Sequence, residues 1–208
     1  AVALITQVGA VKPLRRVALA DPELEVRLET VKALAALQAV DALSGTAMGD
    51  VHVEVRKAAT HELGVLGASE ELHAYALMDA EPAVRSVAVE WLGKHKQPEL
   101  LADAALGDAK AEIRLRAVQI LTELAHVRSL AAAAMEDYEP RVRSTALEAL
   151  GQLKQVDPIV EGPLVDEVDS IRARAVDLLG GLQAAAPLGE VALNDDSPSV
   201  RQSAAAWL

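Results

Sequence analysis

The sequence contains no cysteine and no phenylalanine, and aromatic residues make up only 2% of it. Without cysteine there are no disulfides, no thiolate metal sites and no Cys–His nucleophile. This fits a reducing compartment, and a cytoplasmic location is the expectation. No apolar run approaches the ~20 residues that span a bilayer, so membrane insertion is not expected. Neither a signal peptide nor an initiator Met opens the sequence, and the chain reads as a window from a longer protein. Bases are also scarce: 20 Lys and Arg stand against 31 Asp and Glu, for a net charge of −11. Nucleic-acid binding neutralises phosphates with Lys and Arg. With no basic stripe present, nucleic acid is not an expected partner. The acids are uneven. Residues 157–196 hold nine carboxylates against Arg172 and Arg174, whereas residues 1–48 hold five acids and five bases. The acidic stretch reads as a solvated surface, with a dock for a basic partner as the alternative.

What is present is 51% apolar. Ala, Leu and Val do the filling that aromatics do in a thick core. Ala and Leu are strong helix formers, so thin, closely packed helical layers are expected. An internal repeat confirms the regularity. Val26-Arg27, Val55-Arg56, Val84-Arg85, Ile113-Arg114, Val142-Arg143, Ile171-Arg172 and Val200-Arg201 recur every 29 residues. With each Arg as position 0, an Asp stands at −6: Asp21, Asp50, Asp79, Asp108, Asp137, Asp166 and Asp195. Leu or Met stands at −8, Ala at −9 except Pro163, Ala at +3 except Thr30, and Leu at +7 throughout. Gly occupies +8 in four repeats: Gly64, Gly93, Gly151 and Gly180.

The spacings describe two helices per repeat. Apolar residues at +3, +4, +7 and mostly +10 form one face of an α-helix. Pro82, Pro140 and Pro198, at −3, suit its first turn. The second helix is therefore expected from about −3 to +10. The first is expected over the eight or nine residues before the Asp, with −13 and −8 facing inward and Ala between them. One such hairpin cannot bury both faces alone, but stacked neighbours can. The expected fold is all-α: a right-handed α-solenoid of about seven 29-residue helical hairpins. It is read as a single array over residues 1–208, with 1–8 the tail of a truncated preceding repeat. Closure of the array on itself or on a partner is the alternative to a window. Pro158, Gly162 and Pro163 interrupt the sixth first helix, where a distorted layer or hinge is expected near Ile159–Val165.

The pattern Asp-x5-Arg-x2-Ala-x3-Leu-Gly stands complete in Asp79, Arg85, Ala88, Leu92 and Gly93, and again in Asp137, Arg143, Ala146, Leu150 and Gly151. It resembles the short HEAT-like repeats named after phycobilisome lyases. The resemblance extends over nearly the whole chain and implies the solenoid. For function it implies a range: bilin lyases, an iron-dependent hydroxylase, DNA-repair proteins and adaptors.

The Asp and Arg columns are read as structural. A buried guanidinium needs an anion and several acceptors. The Asp of the same repeat or of the next can supply bidentate bonds, and a spare oxygen can cap backbone N–H groups. A catalytic site needs unique residues rather than seven copies. Of the histidines, His52, His61, His73, His95 and His126, no two form a metal pair at four-residue spacing. His61-Glu62 is one His-Glu dipeptide where a diiron hydroxylase of similar repeats has several, and it reads as a helix-surface pair. His95 replaces a Leu of the +10 column and reads as a satisfied, half-buried residue. Gly180-Gly181 reads as a helix C-cap. No nucleophile elbow, phosphate loop or isolated carboxylate pair is present. No catalytic residue, metal or cofactor is assigned.

A partner is expected on the concave side, lined by second helices. Their solvent stripe lies at −2, +2, +5 and +9, and it is acidic overall. The expected partner-binding residues are Trp91, Glu90, Lys94, Gln119, Glu123, His61 and Glu148. Trp is a favoured interface anchor, although each Trp also suits covering a thin part of the Ala-rich core. The expected function is a non-enzymatic protein-interaction scaffold, part of a larger protein, binding a protein or peptide, with a basic one as the alternative the acidic stretch allows. The rival readings are a bilin or tetrapyrrole lyase or handler, and a regulatory or spacer domain of a larger enzyme or membrane protein.

Overall fold

The structure, a computed structural model, describes residues 2–208. All regular elements among them are helical. They are α1 (Val2–Gln7), α2 (Val11–Ala20), α3 (Leu24–Ala36), α4 (Val40–Gly49), α5 (Val53–Val65), α6 (Ser69–Glu71), α7 (Pro82–Lys94), α8 (Pro98–Gly107), α9 (Ala111–Glu123), α10 (Val127–Glu136), α11 (Pro140–Gln152), α12 (Val156–Glu161), α13 (Asp169–Gly181), α14 (Ala185–Asn194) and α15 (Pro198–Ala206). The chain divides into two units, 1–101 and 102–208, with the division inside α8.

Each unit is a stack of hairpins, the fold class of an α-solenoid. In the first, second helices α3, α5 and α7 pack in succession, with first helices α2 and α4 beside them; α1 packs on α2 and α3. In the second, α9, α11, α13 and α15 form the corresponding row. Full second helices run from −3 to +9, one residue shorter than the periodicity suggests. Their Leu at +7 is fully buried at Leu34, Leu63, Leu92, Leu121, Leu150 and Leu179.

Most second helices end on a left-handed residue that is not glycine. Gln38, Lys96, Ala125, Lys154 and Gln183, all at +11, adopt φ of 52–60°, and Gly9 and Gly67 occupy the equivalent place. The N–H at +12 then reaches the carbonyl at +7, as in Ala39 to Leu34 and His126 to Leu121. This is the Schellman closure, which satisfies carbonyls the helix leaves unpaired. It corrects the C-cap assigned to Gly180-Gly181. Both glycines lie inside α13, and the left-handed residue is Gln183.

The first helices bring a second correction. The buried columns are −13 and −9: Leu43 with Ala47 and Leu130 with Ala134 are almost completely enclosed. The −8 residue, expected inside, faces out in five repeats. Met48 is 63% exposed and Met135 47%. It turns inward only at Leu77 (8%) and Leu164 (7%). Those two repeats have irregular first helices: a π turn over Leu72–Ala76, and a 3-10 turn over Pro163–Val165 after a break at Gly162. The extra angular offset of these turns rotates −8 toward the core. Pro163, which has no N–H to continue α12, accounts for the second break.

Candidate binding face and the ion-pair ladder

The Asp and Arg columns form a continuous ladder along each unit. In every repeat the Arg Nη1 donates to the backbone carbonyl of the Asp six residues earlier, at 2.5–3.0 Å. The guanidinium also grips the carboxylate of the next repeat. Arg114 Nε and Nη2 donate to Asp137 Oδ2 and Oδ1 at 2.6 and 2.9 Å. Arg56–Asp79, Arg143–Asp166 and Arg172–Asp195 repeat this fork. The Asp Oδ1 meanwhile accepts the N–H two residues on, from Glu23 in the first hairpin to Ser197 in the last. In these four pairs one carboxylate, that of Asp79, Asp137, Asp166 or Asp195, locks its own interhelix turn and the guanidinium of the hairpin before it. The bidentate partner is the next repeat's Asp; the Asp of the same repeat contributes its carbonyl.

Electrostatics follow from this geometry. The Asp137 hydrogen bonds hold the Arg114 guanidinium above its ordinary range against the opposing effect of burial. Burial pushes the Asp79 and Asp166 carboxyls up, but their Arg partners and a backbone N–H outweigh it and hold both below the usual range. The Arg172 hydrogen bond does the same at Asp195. The closed pairs Arg56–Asp79, Arg114–Asp137, Arg143–Asp166 and Arg172–Asp195 are thereby committed to the stack.

Trp91 on α7 lies over α5. A side chain at Gly64 would collide with the indole of Trp91, so only glycine leaves room for the ring. The indole N–H points at His61 Nδ1 at 3.4 Å, and the His61 ring meets it edge-on at 5.3 Å. Lys94 Nζ sits 4.0 Å above the ring, and His95, bonded to Ser69 Oγ at 2.9 Å, lies 5.6 Å away. Trp207 repeats the arrangement on Gly180, with its indole N–H 3.3 Å from Asp177 Oδ1. Leu178 occupies the same seat over Gly151. At Gly64, Gly151 and Gly180 the +8 glycine is therefore a seat for the +6 side chain of the following hairpin.

The structure brings Trp91, His61 and Lys94 together, with Glu90 half-buried on the same helix as Trp91. Gln119 and Glu123 are exposed on α9 in the other unit, and Gln119 accepts from Arg116 at 3.4 Å. Glu148 is held by Arg174 through bonds of 2.5 and 2.9 Å. Those bonds keep its carboxyl below the ordinary range. Next to His61 the second helices leave a groove of about 380 Å³. Leu24, Leu28, Ala58 and Val87 form its apolar lining, and Glu54, Lys57 and His61 supply its polar groups. The lining was missed in the sequence. Leu24 and Leu28, at −3 and +1, sit outside the core columns and carried the signal.

Among the described residues no group of three or more His, Asp or Glu side chains is placed to hold a metal ion, and no helix is long and apolar enough to cross a membrane. Residues 98–180 match the family model of HEAT repeats. The same 29-residue register continues on both sides of that stretch, so the likeness to HEAT repeats extends beyond the matched residues. Among solved structures, YibA of Escherichia coli is 19% identical over 97% of this chain and 83% of its own, with a TM-score of 0.49. The complex of CpcE and CpcF of phycocyanin lyase from Nostoc sp. PCC7120 is 19% identical over 95% and 86%, with a TM-score of 0.44. No curated protein matches the sequence.

Proposed function

We propose that the chain is a protein-interaction scaffold that receives a peptide or protein segment along its second-helix face. The observation that supports this is the groove beside His61. Half-buried Leu24, Leu28 and Val87 lie next to a glycine-seated Trp91 flanked by His61 and Lys94. An apolar lining with a few polar groups and a rigid aromatic neighbour is the chemistry of a side-chain anchor site. Binding rather than catalysis is the reading, because the repeated Arg and Asp groups are spent on one another. Tyr138, Asp137, Arg143 and Asp166, a set that tetrapyrrole handling would need free, are all engaged in or against the ladder. A photo-crosslinking amino acid at Ala58 should capture a defined partner that the same group at Glu190 on α14 does not. Leu28→Glu should then weaken that partner at least tenfold while the urea midpoint moves little. Unchanged affinity in a folded variant overturns the reading.

A further inference from the structure

Three methionines and two tyrosines are the chain's entire complement of both residues. All five line two cavities at the same register, three repeats apart. The first, about 410 Å³, is bordered by Met48, Tyr75 and Met78; the second, about 350 Å³, by Met135, Tyr138 and Val165. Both open where an irregular first helix draws its own −8 leucine inward, leaving the preceding −8 methionine without that neighbour. They lie along first helices and interhelix turns, with the ladder arginines Arg56 and Arg143 at their edges.

The two cavities differ in charge. At the first, Asp50 and Asp79 are the acids, and each faces a ladder arginine, Arg27 and Arg56. At the second, Asp137 is bound by Arg114 and Asp166 by Arg143, which leaves Glu136 and Glu167 in surplus. The Glu167 side chain is 83% exposed, and its approach to Arg143 is a loose 3.5 Å. Around them Tyr138 and Val165 are 70% and 73% exposed. The Tyr138 ring is held against Arg114, 4.1 Å from the guanidinium carbon, so this apolar wall is preorganised. Methionine adapts to irregular apolar shapes, and surplus carboxylates at its rim select a cation. The net charge of −11 opposes a second copy of this chain as the occupant.

We propose that the cavity at Met135, Tyr138 and Val165 is a second docking site, for a peptide segment in which a Lys or Arg adjoins an aliphatic side chain. The segment places its apolar side chain on Met135 and its cation between Glu136 and Glu167. The site is independent of the second-helix groove.

Methionine methyl NMR tests this directly, because the full chain gives only three signals, assigned by single Met→Leu variants. The probe is a 12-residue peptide of alternating Leu and Lys; matched peptides carry Glu for Lys or Ser for Leu. The Leu/Lys peptide should shift the Met135 methyl saturably, at concentrations that leave Met48 and Met78 in place. Glu136→Lys with Glu167→Lys should weaken it at least tenfold. Glu136→Gln with Glu167→Gln should weaken it less, and provides the test if charge reversal perturbs folding. An unmoved Met135, an equal response to the Leu/Glu or Ser/Lys peptide, or equal affinity in the folded glutamate variants overturns the proposal. So does a shift of all three methyls together. A response confined to the Trp91 indole assigns the peptide to the second-helix groove and also overturns it.

Discussion

Arg114–Asp137 and Arg27–Asp50 occupy the same register in different units, and they are built to different standards. At Arg114 the fork is closed, the side chains are 0% and 1% exposed, and Tyr138 adds a ring face and an oxygen. At Arg27 the side chains are nearly as buried, at 7% and 1%, but Nε and Oδ2 stand 3.3 Å apart. Arg27 Nε and Nη2 and Asp50 Oδ2 have no hydrogen-bond partner. Burial is thus shared by both rungs and bonding is not. A buried ion pair stabilises only when its geometry offsets the desolvation of both charges. The ladder's contribution should therefore be concentrated where the forks close.

The comparison is broken most strongly by removing one carboxylate. Asp137→Ala leaves Arg114 buried and uncompensated and is expected to cost about 3–5 kcal/mol in urea unfolding. Asp50→Ala should cost clearly less, because the pair it breaks is imperfect; equal costs would show that the difference in geometry has no energetic meaning. Acid should act next, on the closed rungs. Asp79, Asp166 and Asp195 are held below the ordinary carboxylate range, so the folded state binds fewer protons than the unfolded one. Their contribution is complete above the unfolded value of about 4 and is lost as pH falls through the lower folded values. Urea midpoints measured from pH 6 to pH 2.5 should show this decline, and Asp166→Asn should make it shallower.

A smaller effect of opposite sign separates the two rungs more sharply. Replacing both partners by apolar residues, Arg27→Met with Asp50→Leu, removes the unsatisfied atoms at the cost of the bonds to the Asp21 carbonyl and from the His52 N–H, and should be neutral or stabilising by at most about 1 kcal/mol. The equivalent double change at Arg114 and Asp137 should be destabilising, since it discards closed forks and the contact to Tyr138. Smallest of all is a change outside the ladder. Ala125 holds φ at 53° where an L-residue is strained. Ala125→Gly should relieve this and stabilise by about 0.5–1 kcal/mol, less the entropy glycine adds to the unfolded chain.

Much of the architecture was legible because it is periodic. The Arg, Asp and +7 Leu columns recur without insertion, and helix period alone places both helices of each hairpin. What escaped had no local mark. The left-handed +11 position carries Gln, Lys or Ala in five repeats, so nothing in composition announces a turn that glycine usually supplies. The π turn at Leu72–Ala76 adds no residue; Leu72 and Leu77 keep their columns, and the periodicity reads straight through it. The −8 column was misplaced because apolarity marks a residue as able to be buried, not as buried. The +8 glycines did carry a signal, but it lies one repeat away. Gly64, Gly151 and Gly180 precede large +6 residues (Trp91, Leu178 and Trp207), whereas Ala35 and Thr122 precede Glu62 and Ala149. Of the expected binding residues, Trp91, His61 and Lys94 meet because that seat brings them together. Glu148 was expected on the interface from its place at +5 on the solvent stripe, and Arg174, one hairpin on, already holds it.

Carboxylate and guanidinium columns join one hairpin to the next. A double-mutant cycle on Arg143 and Asp166 tests this most directly, with Arg143→Met, Asp166→Asn and the combined variant followed by urea unfolding. Asn keeps an acceptor for the Val168 N–H, so the cycle isolates the contact between hairpins. A coupling of about 2–3 kcal/mol is expected, the upper part of the range for directly bonded neighbours. A coupling near zero, with the single changes simply additive, would contradict it.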